Sequence, residues 1–171
     1  MEKKPIRIAV IGPESTGKST LAKKLADHFG ALYIPEFART YLEENGATYE
    51  LQDLDKIILG QEEAMKTTVE SHIVFDTDLL SLYLWKKEKY ALNDLSLLNH
   101  WSEMKIDVFL LCNTDVPWVF DPLRESEGKR NELFDAHMLY LNVFKKNFNL
   151  IEGTGEARTQ NAIQFLREFI Q

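Results

Sequence analysis

The sequence predicts the α/β class, a three-layer sandwich in which helices cover both faces of a five-stranded parallel sheet. Two observations predict it. Five short apolar runs, Ile6–Ile11, Ala31–Ile34, His72–Asp76, Asp107–Cys112 and Asn149–Glu152, alternate with segments of helical period, and such alternation builds parallel sheets buried on both faces. The first run leads directly into the glycine-bearing loop Gly12-Pro13-Glu14-Ser15-Thr16-Gly17-Lys18-Ser19, and a helix-like run from Thr20 to Phe29 follows at once. That order makes a strand, an anion-binding loop and a helix.

The elements then follow in order. Gly30 stops the first helix, and the second strand ends at Pro35-Glu36. From Phe37 to Glu44 the period is helical, with Phe37 and Tyr41 on one face, until Asn45-Gly46 breaks it. A helix from about Asp53 to Val69 carries the stripe Leu54, Ile57, Ile58, Gln61, Met65, Val69. The third strand closes on Asp76, a helix runs from Leu79 to about Lys87, and another is capped at Asn93-Asp94. After the fourth strand, residues 113–130 turn polar, hold Pro117, Pro122 and Gly128, and show no period. This stretch reads as a mobile lid. Helices over Asn131–Asn147 and Glu156–Phe169 flank the fifth strand.

With 171 residues, 44% apolar and 27% charged, the chain is expected to form one domain over residues 1–171. A net charge of −7 with a pI near 5.2 argues against general affinity for nucleic acid or an anionic membrane. No run approaches the ~20 apolar residues of a membrane span, and Met1–Pro5 leads into a strand without a signal segment. A cytoplasmic location is expected. Cys112, the sole cysteine, lies in an apolar run and reads as a packed, inert thiol.

The loop fits Gly-x-x-x-x-Gly-Lys-[Ser/Thr], which gives the sandwich a P-loop NTPase character. Successive amides of such a loop converge on polyphosphate at the positive end of a helix, so Gly12, Glu14, Ser15, Thr16, Gly17, Lys18, Ser19 and Thr20 are expected to bind a nucleoside triphosphate such as ATP. Lys18 reaches the outer phosphates. The hydroxyl of Ser19, ahead of Thr20, is expected on Mg²⁺.

Ligands of open parallel sheets bind beyond the carboxyl ends of the strands, where Asp76 and Glu36 also fall. Asp76 is either the partner of Ser19 on Mg²⁺, directly or through water, or a cap for the next helix. Asp78 either caps that helix or holds a sugar hydroxyl. Glu36 accepts a proton from an attacking hydroxyl, binds a ribose diol, or caps its helix. Arg39 pairs with Glu36 or with substrate phosphate. The residues alone leave Glu36, Asp76 and Asp78 all open as the general base.

Phosphoryl transfer to an alcohol must exclude water, and kinases achieve this with a closing lid that brings in cations. Arg124 and Arg130 stand in the lid region and are candidates to stabilise the transferring phosphoryl group, with a solvated surface cluster as the alternative.

Taken together, Gly12–Ser19, Glu36-Phe37-Ala38-Arg39, Phe75-Asp76-Thr77-Asp78, Trp118–Arg124, and Arg130 with Phe134 resemble the nicotinamide riboside kinase (ribosylnicotinamide kinase) module of bacterial trifunctional NAD-biosynthesis proteins, grouped with AAA-like P-loop ATPases. The resemblance spans about residues 6 to 158. It implies a P-loop kinase domain with a helical lid at about 113–130 that phosphorylates the 5′-hydroxyl of nicotinamide riboside, using ATP and Mg²⁺, in NAD biosynthesis. The trifunctional proteins also carry a nucleotidylyltransferase domain and, in some, a helix-turn-helix, for which this chain has no room; adenylylation to NAD and operator binding are not expected of it.

A nicotinamide ring joined to ribose is flat and positively charged, which suits aromatic faces and carboxylates. Phe37, Tyr41 and Trp85 are therefore candidates for substrate binding beside Glu36, Arg39 and Asp78, with ordinary core packing as the alternative for the aromatics. The resemblance also implies that Gly153–Arg158 lies against adenine, with Arg158 its ATP-binding residue; a plain turn is the alternative. A kinase for another nucleoside or nucleotide, or a regulatory P-loop ATPase, stays open from the residues alone. No Asn-Lys-x-Asp guanine motif is present. Oligomeric state is not legible.

Overall fold

The computed structural model describes residues 4–170, and the five apolar runs form its sheet: β1 (Arg7–Ile11), β2 (Leu32–Ile34), β3 (Ile73–Asp76), β4 (Val108–Cys112) and β5 (Phe148–Ile151). All neighbours pair parallel in the order β2-β3-β1-β4-β5. The reading of Met1–Pro5 as lacking a leader falls mainly on residues 1–3, outside the described residues.

Alternation along the strands explains the three layers. Ala9, Ile11, Phe75, Phe109 and Leu111 point to one face, whereas Ile8, Val10, Val74, Leu110 and Cys112 point to the other. The second face is covered by α1 (Lys18–Phe29) and α7 (Gly155–Ile170) through Leu21, Leu25, Ala162 and Leu166. The first face carries α2 (Phe37–Asn45), α3 (Leu51–Met65), α4 (Leu79–Tyr90), α5 (Leu95–Glu103) and α6 (Arg130–Val143). Trp101 and Tyr83 are its largest buried side chains. No described helix is long and apolar enough to cross a membrane.

Register aligns the strands' carboxyl ends. Val10 pairs with Asp76, Ile11 with Leu111 and Ile34 with Phe75, so the residues following β1, β2 and β3 emerge along one rim.

Helix ends differ from the sequence reading for identifiable reasons. α3 starts at Leu51 because Glu50 and Asp53 form a reciprocal capping box, with Glu50 N–H donating to Asp53 at 3.0 Å. It ends at Met65, where the Arg7 guanidinium takes the Met65 and Thr67 carbonyls. Val69 therefore lies beyond the helix and is exposed. α6 stops at Val143 rather than Asn147, since Lys145 adopts a left-handed φ of 50° and Lys146 N–H returns to the Leu141 carbonyl at 2.9 Å. The lid is helical only over the single 3₁₀ turn Glu127–Lys129 before α6 begins. The rest is an irregular strap held against the glycine loop by its own hydrogen bonds.

Candidate active site

The loop between β1 and α1 requires glycine at two places. Gly12 has φ 135°, and a Cβ there would stand 2.8 Å from the Cys112 carbonyl oxygen on the neighbouring strand. Gly17 has φ 80° at the N-cap of α1 and uses no side chain to cap it. The first-turn amides of α1 are left for a ligand. Thr16 ties the loop internally by donating to the Pro13 carbonyl at 2.8 Å, and the Lys18 ammonium donates to the same carbonyl at 2.8 Å.

The loop opens into a cleft of about 360 Å³ whose walls include Ser19, Thr20, Glu36, Arg39, Trp85 and Arg124. That volume falls in the ordinary range for a small-molecule site. Glu36 occupies the N-cap position of α2 but makes no capping hydrogen bond, so its carboxylate faces the cleft. Burial raises its carboxyl above the usual range, Lys18 opposes the shift, and Asp76 adds to it.

Asp76 is 1% exposed at the end of β3. Its Oδ2 accepts from the Tyr33 hydroxyl at 3.1 Å, whereas Oδ1 is buried without a partner among the described residues. A carboxylate oxygen so placed, at the end of the strand next to β1, fits the way Mg²⁺ is held, through one or two carboxylates plus phosphates and water. Burial, with Asp76 and Glu36 beside it, pushes the Tyr33 phenol upward.

Asp78 has a different role from the sugar contact weighed in the sequence. It is fully buried; Oδ1 caps α4 by accepting from Ser81 N–H at 3.1 Å, and Oδ2 accepts from Trp101 Nε1 at 2.7 Å. Burial pushes its carboxyl up to about 6 despite those donors. Both oxygens are engaged away from the cleft. In the wall of the cleft Ser81 also meets His137 Nε2 at 3.1 Å, and burial lowers that imidazole to about 4, so it is neutral near pH 7.

The aromatic candidates divide. Phe37 packs on α3, so closely that a Cβ at Gly60 would lie 2.2 Å from its ring. Tyr41 donates to Asp53 at 2.7 Å. Both are core-side residues and not platforms, and α2 turns Ala38, Arg39 and Leu42 toward the cleft instead. Trp85 does line it. Sequence reasoning missed what surrounds Trp85: its Nε1 donates to the Tyr49 hydroxyl at 2.7 Å and to Glu125 at 3.0 Å, and Lys89 binds Glu125 at 2.8 Å. Tyr49 sits in an irregular stretch and Glu125 in the strap, neither marked by any spacing.

The strap closes over the loop. Val119 N–H donates to Ser15 Oγ at 2.8 Å, and the amides of Glu125 and Ser126 donate to Glu14 at 3.1 and 2.8 Å. Arg124 reaches the Val119 carbonyl at 2.6 Å and Ser15 Oγ at 3.4 Å. Arg130 donates to the Ser15 and Val116 carbonyls at 3.0 and 2.9 Å, with its Nε buried and unpartnered. Arg39 pairs with Asp121 of the strap at 3.0 Å rather than with Glu36. On the other side of the loop, Arg158 is buried and binds Asp115, the Gly153 carbonyl and the Asn113 carbonyl at 2.7, 2.6 and 2.7 Å. Its guanidinium shapes a shallow second cleft beside Thr20 and Lys24 instead of offering a free cation.

Comparisons with known proteins agree with this geometry. A family model described as an AAA domain matches residues 7–158. The trifunctional NAD biosynthesis/regulator protein NadR of Salmonella typhimurium is 32% identical over 174 residues, covering 95% of this chain and 42% of that protein. A uridine kinase of Geobacillus kaustophilus is 31% identical over 90 residues, 53% of this chain and 38% of its own length. Among solved structures, a crystal structure of NadR protein in complex with NR superimposes with TM-score 0.79 at 22% identity, over 97% of this chain and 52% of that one. The chain thus spans about half or less of these relatives' lengths.

Proposed function

We propose, from the premise that this chain belongs to the AAA domain family whose model spans residues 7–158, that it is a cytoplasmic, single-domain kinase transferring the terminal phosphoryl of ATP to the 5′-hydroxyl of nicotinamide riboside, a step of NAD biosynthesis that yields nicotinamide mononucleotide. The observation that carries the reading is the desolvated carboxylate of Glu36, uncommitted to any cap and directed into the same cleft as Lys18 and the loop. A base of this kind is what an attacking alcohol requires. The likeness to NadR supports the riboside as acceptor, and the uridine kinase likeness supports a nucleoside-sized acceptor in general.

In this mechanism the loop amides and the α1 dipole hold the phosphates. Lys18 leaves the Pro13 carbonyl for the outer phosphates, exchanging a neutral acceptor for an anionic one. Ser19 and Asp76 would hold Mg²⁺, which when bound supplies charge neutralisation at the phosphates. Glu36 accepts the proton of the acceptor hydroxyl. Arg124, on the strap beside Ser15, neutralises charge spreading over the transferring oxygens, and Arg130 fixes the loop through the Ser15 carbonyl. The strap keeps water from the reacting phosphate. ADP release measured with nicotinamide riboside, with uridine and with neither tests the proposal. Riboside-dependent turnover supports it; acceptor-independent hydrolysis alone refutes it.

A further inference from the structure

Where α4 meets the strap at the cleft wall, four side chains make a box suited to a flat cation. The Tyr49 and Trp85 rings meet edge to face with centroids 5.1 Å apart. The Glu125 carboxylate is fixed between them, accepting from Trp85 Nε1 at 3.0 Å and from the Tyr49 hydroxyl. The fourth member is itself a cation: the Lys89 ammonium lies 3.8 Å from the centre of the Tyr49 ring and 2.8 Å from Glu125. Trp85, Lys89 and Glu125 all line the main cleft. An aromatic face beside a carboxylate is a general device for holding positive charge.

Two features make Lys89 replaceable. Its side chain is one-third exposed on the surface of α4, so the ammonium can move into water at little cost. Glu125, by contrast, stays in position through Tyr49 and Trp85 whether or not Lys89 is there. Burial alone would raise the Glu125 carboxyl, and donation from Lys89, Tyr49 and Trp85 holds it below the usual range, keeping it anionic. Of the other charges on this side, Glu88 of α4 pairs with Lys129 beyond the strap. The Glu14 carboxylate accepts the Glu125 amide at 3.1 Å and so adds to the negative charge on this side, while Glu36 lines the cleft with Lys18.

Resting on the assignment of a riboside with a positively charged ring, we propose that Glu125 and Lys89 set the preference for a cationic base. Lys89 is an internal competitor that occupies the cation position in the free protein, and the substrate ring displaces it to pair with Glu125. A neutral base cannot compensate Glu125, so Lys89 remains in place and narrows the cleft against it.

The test compares nicotinamide riboside with its reduced dihydro form, which has nearly the same shape and no ring charge. Wild type is expected to show the lower KM for the cation. Glu125→Gln should raise KM for the cation roughly fivefold and change KM for the neutral form less than about twofold, as expected for one half-exposed charge contact. Lys89→Met should lower KM for the cation about twofold or more, because the competitor is gone. Both sites are partly exposed, and matched melting curves establish that the variants fold. Equal effects on both forms, or no effect on either, would overturn the inference while leaving the kinase reading intact. A wild type that turns over a neutral nucleoside and neither riboside form would sink the acceptor assignment and the inference with it.

Discussion

Replacing Glu36 with glutamine removes the proton acceptor while keeping the size of the side chain. A positioned general base contributes about 10²- to 10⁴-fold, so kcat at saturating ATP and riboside should fall by that factor, about 3 to 5 kcal/mol of activation free energy. The pH profile supplies the second arm. Burial raises the Glu36 carboxyl, with Lys18 opposing, so the acidic limb of wild-type kcat should lie above the ordinary glutamate value of about 4.3. That limb should vanish in the variant. Stability separates chemistry from unfolding: a carboxyl whose folded pKa is raised favours the fold at low pH, and this contribution is lost as pH rises through the folded value. Near neutral pH, Glu36→Gln should therefore melt no lower than wild type. A kcat within about threefold of wild type, or an acidic limb that survives the substitution, would refute the assignment of Glu36 as base.

Lys18→Ala should abolish measurable transfer, a loss of at least about 10²-fold, without lowering the melting temperature, because among the described residues its side chain bonds only a loop carbonyl. Asp76→Asn should raise the Mg²⁺ concentration needed for half-maximal rate about tenfold or more, and chelation of Mg²⁺ should stop wild-type turnover reversibly. Asp78→Ala should destabilise by about 2 to 4 kcal/mol, through the lost cap and the unpaired Trp101 N–H. Since burial lifts Asp78 from 3.8 to about 6, wild-type stability should decline as pH rises through that interval, and the alanine variant should lose this slope in denaturant melts.

The sheet was legible because its three central strands are buried and read as apolar runs, with the shorter, half-exposed edge strands β2 and β5 recognisable by their place between helical segments; this places Asp76 at the carboxyl end of β3 and Glu36 just past β2. Helix ends were less legible where a distant group sets them. α3 ends where Arg7, 58 residues earlier, takes the Met65 carbonyl, and no local pattern announces that. Phe37 and Tyr41 illustrate a second gap. Helical spacing puts both on one face, but the choice of which face meets the cleft is made by α3, whose Gly60 leaves room for the Phe37 ring. The box around Trp85 was beyond reach for a third reason: Tyr49, Trp85, Lys89 and Glu125 come from three separate segments, and only the fold brings them together.

Glu125 joins the glycine loop and the box in one residue. Its backbone N–H donates to Glu14 of that loop, while its carboxylate belongs to the box. Neighbouring strap residues repeat the attachment, with Ser126 on Glu14 and Val119 on Ser15. The two bonds to the Glu14 carboxylate contribute about 1.5 to 3 kcal/mol net each and the neutral one to Ser15 about 0.5 to 1.5, and with the Arg39–Asp121 and Lys89–Glu125 pairs they hold the strap outside the sheet. The strap cannot leave the loop without carrying Glu125 out of the box. On the proposed kinase reading, a nucleotide or acceptor that favours the closed strap favours closure for the other, and by linkage each would strengthen the other's binding by the same factor.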